Sequence, residues 1–215
     1  MASNANLDTY PIIGLALATS PADSSVIAAK NWFHSALTNQ REDTRIYWLK
    51  MMIETEPINS EMINVAAALQ SQQKSDGGWS WVSSYTLSSF DMSAQALYVL
   101  GRLNFTGTVI ERGTQWIEQH INPLWEAFDE YKTVATTTIA LNALQAARIN
   151  DSANLNAISY GRKAIVATQS ANGGYYWNIP KLFDSAASPT TAVAIFALKY
   201  YANLTTSEQS AVTRG

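Results

Sequence analysis

Gln73-Lys74-Ser75-Asp76-Gly77-Gly78-Trp79 lies between two apolar segments of helical periodicity, and a variant of it returns as Gln169-Ser170-Ala171-Asn172-Gly173-Gly174-Tyr175. The two copies share a longer period, because Leu69, Ile117 and Ile165 follow one another at 48-residue intervals. A period of that size marks stacked supersecondary units in place of one irregular globule. The glycines let the chain leave a helix through conformations closed to other residues. Gln73 and Gln169 can bond backbone groups left open at helix ends, and Trp79 and Tyr175 can cover the joint between units. The motif therefore reads as structural ahead of any ligand contact.

Around these turns the helical segments pair off. Residues 25–37 form an amphipathic helix with Ile27, Trp32, Phe33 and Leu37 on one side, and residues 46–53 form a helix apolar on most faces, capped by Asp43 or Thr44. The next pairs are 60–73 with 89–103, 109–121 with 134–147, and 155–169 with 190–202, where Ser188 and Pro189 suit N-cap and first-turn positions. A short apolar helix over 9–18 precedes them, and Thr205-Thr206-Ser207-Glu208 has capping-box spacing. The first helix of each pair has a polar face, whereas the second is apolar nearly all round and must be covered on all sides. Stacking the pairs into an inner and an outer ring meets both demands. The expected fold is all-α, an α/α toroid of about four to five helix pairs forming a single domain over 1–215, cut inside a repeat and so an excerpt of a longer chain.

Composition bounds the function. Apolar residues make up 47% of the 215-residue chain and charged residues 14%, a folded composition. A net charge of −3 offers no basic stripe for nucleic acid. Without cysteine there is no disulfide, thioester or cysteine-ligated zinc, and two histidines, His34 and His120, cannot build a multi-histidine metal site. No metal or cofactor is expected, and no apolar run approaches the roughly 20 residues of a membrane span. Asn104-Phe-Thr, Asn150-Asp-Ser and Asn203-Leu-Thr are glycosylation-type triplets, which with the low charge lean toward an extracellular or cell-surface setting, although such triplets also arise by chance in a chain rich in Asn, Ser and Thr.

Connections from the second helix of a pair to the next unit are short. Those from the first helix to the second are long, at 75–88, 122–131 and 171–188, and run in one sense. They should emerge at one end, making an aromatic rim. Trp81, Tyr85, Trp125, Tyr131, Tyr176 and Trp177 are its candidate ligand-binding residues, since long loops on a rigid scaffold are where binding resides. Asp76, Glu126, Asp129, Glu130 and Asp184 share that rim.

The pattern Gln73-x-x-x-Gly77-x-Trp79, with its looser copy Gln169-x-x-x-Gly173-x-Tyr175, resembles the glutamine–tryptophan repeat of squalene and oxidosqualene cyclases. Arg112-Gly113-x-x-Trp116-Ile117 looks like the first half of that motif, with Ile121 where its glutamine should stand. The resemblance covers about 60–202 and extends to prenyltransferase β-subunits, macroglobulin thioester domains and intrinsic-factor-like domains; Asp76-Gly-Gly-Trp-Ser-Trp81 is also similar to bacterial macroglobulins. It implies the toroid and leaves the reaction open. The proton-donating Asp-x-Asp-Asp-Thr-Ala of class II terpene cyclases is matched by Ser89-Phe90-Asp91-Met92-Ser93-Ala94, which keeps only Asp91; a carboxylate there also suits the helix start. Three functions follow as expectations. The first is a non-catalytic module binding an apolar small molecule, a glycan or a protein partner at its rim. The second is a terpene-cyclase-like enzyme with Asp91 as its acid. The third is an (α/α)-barrel carbohydrate-active enzyme with paired rim carboxylates.

Overall fold

The computed structural model describes residues 20, 22–37, 41–121, 134–176, 188–199 and 205–214. Among these residues the chain is helical, with nine helices and no β-strand beyond isolated bridges. They are α1 (Ser24–Ala36), α2 (Glu42–Thr55), α3 (Ser60–Gln70), α4 (Phe90–Arg102), α5 (Thr108–His120), α6 (Val134–Ala147), α7 (Ser152–Ala167), α8 (Ser188–Lys199) and α9 (Thr206–Arg214). A helix stands at each position expected from periodicity between residues 25 and 202; the helix expected over 9–18 lies outside the described residues.

Side-chain caps start several helices. Asn59 accepts from Met62 N at 3.1 Å ahead of α3, and Asp151 accepts from Asn154 N at 2.8 Å ahead of α7. The capping box before α9 forms in full, with Thr205 N donating to Glu208 Oε2 at 2.7 Å and Glu208 N to Thr205 Oγ1 at 3.4 Å. The start of α2 departs from expectation. Its N-cap is Arg41, without a side-chain cap bond, and Asp43 lies in the first turn with its carboxylate taken by the Arg41 guanidinium and Thr44 N.

Burial follows the expected division into two helix types. From Met92 to Gly101 every residue of α4 is buried, so that helix is covered all round. Gly101 explains how closely it is covered, because a Cβ there would lie 2.4 Å from Ala146 O on α6. The C-terminal ends of α4 and α6 thus meet at backbone contact, and the most extensive helix–helix contact joins these two helices. The helices touch in two series: α2 with α4, α4 with α6 and α6 with α8, then α5 with α7 and α7 with α9, while α1 also meets α2, α3 meets α4 and α5 meets α6. Side chains such as Leu97, Leu100, Leu141 and Leu144 fill the space between them, each worth roughly 1.5–3 kcal/mol when fully buried.

Two expectations about helix faces are corrected. In α1 the buried edge is Val26 and Phe33, seven residues apart, while Ile27 and Trp32 are 44% and 55% exposed. Helix α2 is not apolar on most faces, since Glu42, Asp43 and Lys50 are buried in it. Their charges are met by specific partners: Ser80, Arg41 and Gln95. A second polar seam joins α2 to α4, where Glu54 accepts from Tyr98 Oη at 2.9 Å and from the Arg102 guanidinium.

Candidate binding surface

The crossover from α3 to α4 is organised by its glycine turn. Gly77 takes φ +102°, and a Cβ there would sit 2.8 Å from Arg112 O on α5. Only glycine both adopts that conformation cheaply and leaves room for the neighbouring unit. Gln73 closes the turn by donating from Nε2 to Gly77 O and to Val109 O, both at 2.9 Å. Arg112 completes the joint, donating from Nη2 to Lys74 O and Ser75 O at 2.8 and 2.7 Å. Trp79 is fully buried. Its Nε1 donates to Leu69 O at 2.9 Å, and a Cβ at Gly113 would come within 3.1 Å of its ring. The Arg112-Gly113 pair is therefore one half of a socket whose other half is the preceding unit's glycine turn.

The second copy repeats this geometry. Gln169 Nε2 donates to Gly173 O at 2.8 Å and to Ala211 O at 2.6 Å, and Gly173 has φ +93° against Arg214 O. Asp76 and Asn172 play one part, each accepting from the amide of its second glycine, Gly78 or Gly174. Trp79 N donates to Ser93 Oγ at 2.8 Å, and Tyr175 N to Thr191 Oγ1 at 2.9 Å. Tyr175 is as buried as Trp79, but among the described residues its hydroxyl has no hydrogen-bond partner, and burial pushes its pKa up to about 12.

Beyond this locked base the crossover turns outward. Trp81 is 38% exposed, Tyr85 57% and Leu87 81%. The segment carrying them is pinned at both sides. Ser80 N donates to Glu42 Oε2 at 3.0 Å, Ser88 Oγ to Asp76 Oδ1 at 2.8 Å, and Lys74 Nζ to Ser83 O at 2.7 Å. Burial pushes the Glu42 carboxyl above its ordinary range despite the Ser80 bonds and the nearby Lys74 and Arg45. Burial acts upward on Asp76 too, but the donors from Gly78 and Ser88 outweigh it and its pKa is lowered. The Arg41 guanidinium lies near enough to Tyr85 for the two to interact electrostatically.

Of the expected rim residues, Trp81 and Tyr85 share this exposed segment. Tyr176 does not; it is buried, with its backbone N donating to Thr168 O. Trp125, Tyr131 and Trp177, and the carboxylates Glu126, Asp129, Glu130 and Asp184, lie outside the described residues. Leu87 was not singled out from the sequence, although an aliphatic residue in a run of serines and threonines is a legible signal.

Asp91 stands in the first turn of α4, two residues after the N-cap Ser89, and is half-buried. It accepts from Gln95 Nε2 at 3.1 Å, and Gln95 Oε1 in turn accepts from the buried Lys50 at 3.4 Å. The buried oxygens Thr138 Oγ1, Asn142 Oδ1 and Gln145 Oε1 line one face of α6 without hydrogen-bond partners among the described residues. Polar side chains thus lie along α2, α4 and α6. Of the histidines, exposed His34 pairs with Glu61 at 3.0 Å, and His120 stacks on Trp116 with ring centroids 3.8 Å apart. Among the described residues no group of three or more His, Asp or Glu could hold a metal ion, and no helix is long and apolar enough to cross a membrane. No protein-family model matches the chain, and no curated protein matches it.

Proposed function

We propose that the chain is a non-catalytic α/α-toroid module, related in architecture to the squalene-cyclase and prenyltransferase superfamily, that binds a protein partner at its crossover end. The two series of helix contacts support concentric layers, with α2, α4, α6 and α8 inside. The observation that carries the binding reading is the exposure of Trp81, Tyr85 and Leu87 on a segment whose base is locked by Glu42, Asp76 and Lys74. An ordered loop that holds aromatic side chains in water has already met the ordering cost of a binding surface. Tyr, Trp and Arg are the residue types that anchor protein interfaces. The highly exposed aliphatic Leu87 favours a protein over a glycan, whose polar face gains little from it.

The test is photo-cross-linking from position 85 in the cell of origin, with the product identified by mass spectrometry. One dominant partner is expected, and Trp81→Ala should reduce its yield at least several-fold while the circular dichroism spectrum stays unchanged. A cross-linking pattern indifferent to Trp81→Ala would refute the reading. The cyclase alternative rests on the place of Asp91 at the start of α4. Its neighbours Gln95 and Lys50 suit a carboxylate held among polar groups better than one facing a hydrocarbon. A cyclised product from squalene, lost in Asp91→Asn, would restore that alternative.

A further inference from the structure

The chain contains three Asn-x-Ser/Thr triplets, and each falls in a connection leading from the second helix of one pair to the first helix of the next. We propose that two of them, at Asn104 and Asn150, are acceptor sites for N-linked glycosylation, grouped at the end of the helix stack opposite the aromatic crossover. Their grouping is a structural fact. Arg148 Nη1 donates to Asn104 Oδ1 at 2.8 Å, which puts the two turns side by side. Helix α4 begins beside the crossover, where Ser89 N donates to Trp79 O at 2.7 Å, and ends at Arg102 just before Asn104. Its 13 residues separate the two ends by about 20 Å at 1.5 Å per residue.

Turn and capping chemistry alone can write such triplets, because Asn suits a left-handed turn and Ser or Thr suits an N-cap. That explanation accounts for the asparagine at 104, where φ is +60°, but not for the hydroxyls. Gly107, not Thr106, is the N-cap of α5, and Asp151, not Ser152, is the N-cap of α7. Thr106 and Ser152 are exposed, and among the described residues neither hydroxyl makes a hydrogen bond. Both remain available to a transferase that reads them. Asn104 and Asn150 are exposed as well, and the bond from Arg148 engages the Asn104 oxygen, not the nitrogen that would carry the sugar. The third triplet is different. Asn203 lies outside the described residues, and the Thr205 hydroxyl is committed to Glu208 at 2.7 Å in the α9 capping box.

In the transfer the asparagine Nδ2 attacks C1 of a sugar carried on a polyprenyl diphosphate. The N–C1 bond forms, and the bond from C1 to the diphosphate oxygen breaks. The diphosphate leaves with the electron pair, and the amide proton passes to a base on the transferase. A bulky, solvating glycan at this end would leave Trp81 and Tyr85 uncovered.

The experiment is secretion of the whole chain from a glycosylating eukaryotic cell, followed by intact-mass measurement before and after peptide-N-glycosidase. Two glycan steps are expected. Asn104→Gln and Asn150→Gln should each remove one, and so should Thr106→Ala and Ser152→Ala, which leave the asparagines in place. Ser84→Asn, which completes a triplet with Tyr85 and Thr86 in the exposed crossover, serves as a control for export. An unmodified native chain beside a modified control would overturn the proposal, as would glycan that persists in the double Asn104→Gln, Asn150→Gln variant.

Discussion

The side-chain amide of Gln73 lies 2.9 Å from the Val109 carbonyl oxygen, 36 residues further along the chain. The same amide closes its own turn on Gly77 O, so one NH2 group ties a turn to the following unit. Gln169 does the same to Gly173 and Ala211. Removing Gln73 strands the part-buried Gly77 carbonyl and unties the turn from Val109, whose oxygen keeps its helical partner within α5. Gln73→Ala should cost about 1–3 kcal/mol, the usual penalty for stranding buried hydrogen-bonding groups. Urea denaturation measures it, and a midpoint unchanged from wild type would disprove the role.

Gly77 and Gly107 both have positive φ, but only Gly77 faces a neighbouring backbone. Gly107→Ala meets nothing within 4 Å and should cost only the conformational penalty of its backbone, φ 77° and ψ −159°, about 1–3 kcal/mol. Gly77→Ala adds a collision with Arg112 O at 2.8 Å and should be clearly the more destabilising of the two in thermal unfolding. Equal losses would mean that the joint between units is looser than described.

Tyr175 places a hydroxyl where nothing among the described residues bonds it. Tyr175→Phe should therefore be neutral or stabilising by up to about 1–2 kcal/mol, since it deletes a buried polar group without partner. The raised phenol pKa, about 12, fixes the pH dependence. The folded state holds this proton more tightly than the unfolded state, whose value is near 10, so stability falls as pH rises from about 10 toward 12. Tyr175→Phe should lack that part of the decline. Ultraviolet-monitored titration and alkaline unfolding test both halves.

Glu208 has the opposite sign. Burial pushes its carboxyl up, but hydrogen bonds from Thr205 and the Arg162 guanidinium outweigh it and hold the pKa below its ordinary value. The folded state then favours the ionised form, and this contribution is present above the unfolded carboxyl pKa, near 4.3, and lost as pH falls through the folded one. Glu208→Gln should be less stable than wild type at pH 7, with the gap closing at acid pH. A gap constant between pH 7 and pH 3 would exclude the linkage.

Trp79 fills the joint between α3, α4 and α5. Trp79→Ala should cost about 3–5 kcal/mol as a large buried aromatic. Trp79→Phe should recover part of that loss but lose the indole bond to Leu69 O, which keeps only backbone donors such as Gln72 N. Chemical denaturation of the pair separates volume from hydrogen bond.

The legibility of the fold differed between elements for physical reasons. Periodicity placed α3 to α8 because a helix buried on one side or on all sides must repeat its apolar residues accordingly. The same rule misjudged α1, where Trp32 is large and apolar yet faces water beside the buried Phe33. It also misjudged α2, because Glu42 and Lys50 are buried with partners far along the chain, Ser80 in the crossover and Gln95 on α4. Among the aromatics that the sequence placed on loops, Trp81 and Tyr85 are exposed, whereas Tyr176 carried the same local signal but is buried.

The amino-acid sequence on its own determined what is local: the helices, the turn residues, and the recurrence of a glutamine four residues before a glycine that must take positive φ. These follow from backbone sterics and from periodic contact with an apolar interior. Tertiary structure alone decided which carbonyl each glutamine reaches, which carboxylates are buried with a partner, and which aromatic side chains remain in water. Those outcomes depend on groups 36 or 38 residues away along the chain, as for Gln73 with Val109 and Glu42 with Ser80. No local pattern encodes a partner that arrives only when separate units stack.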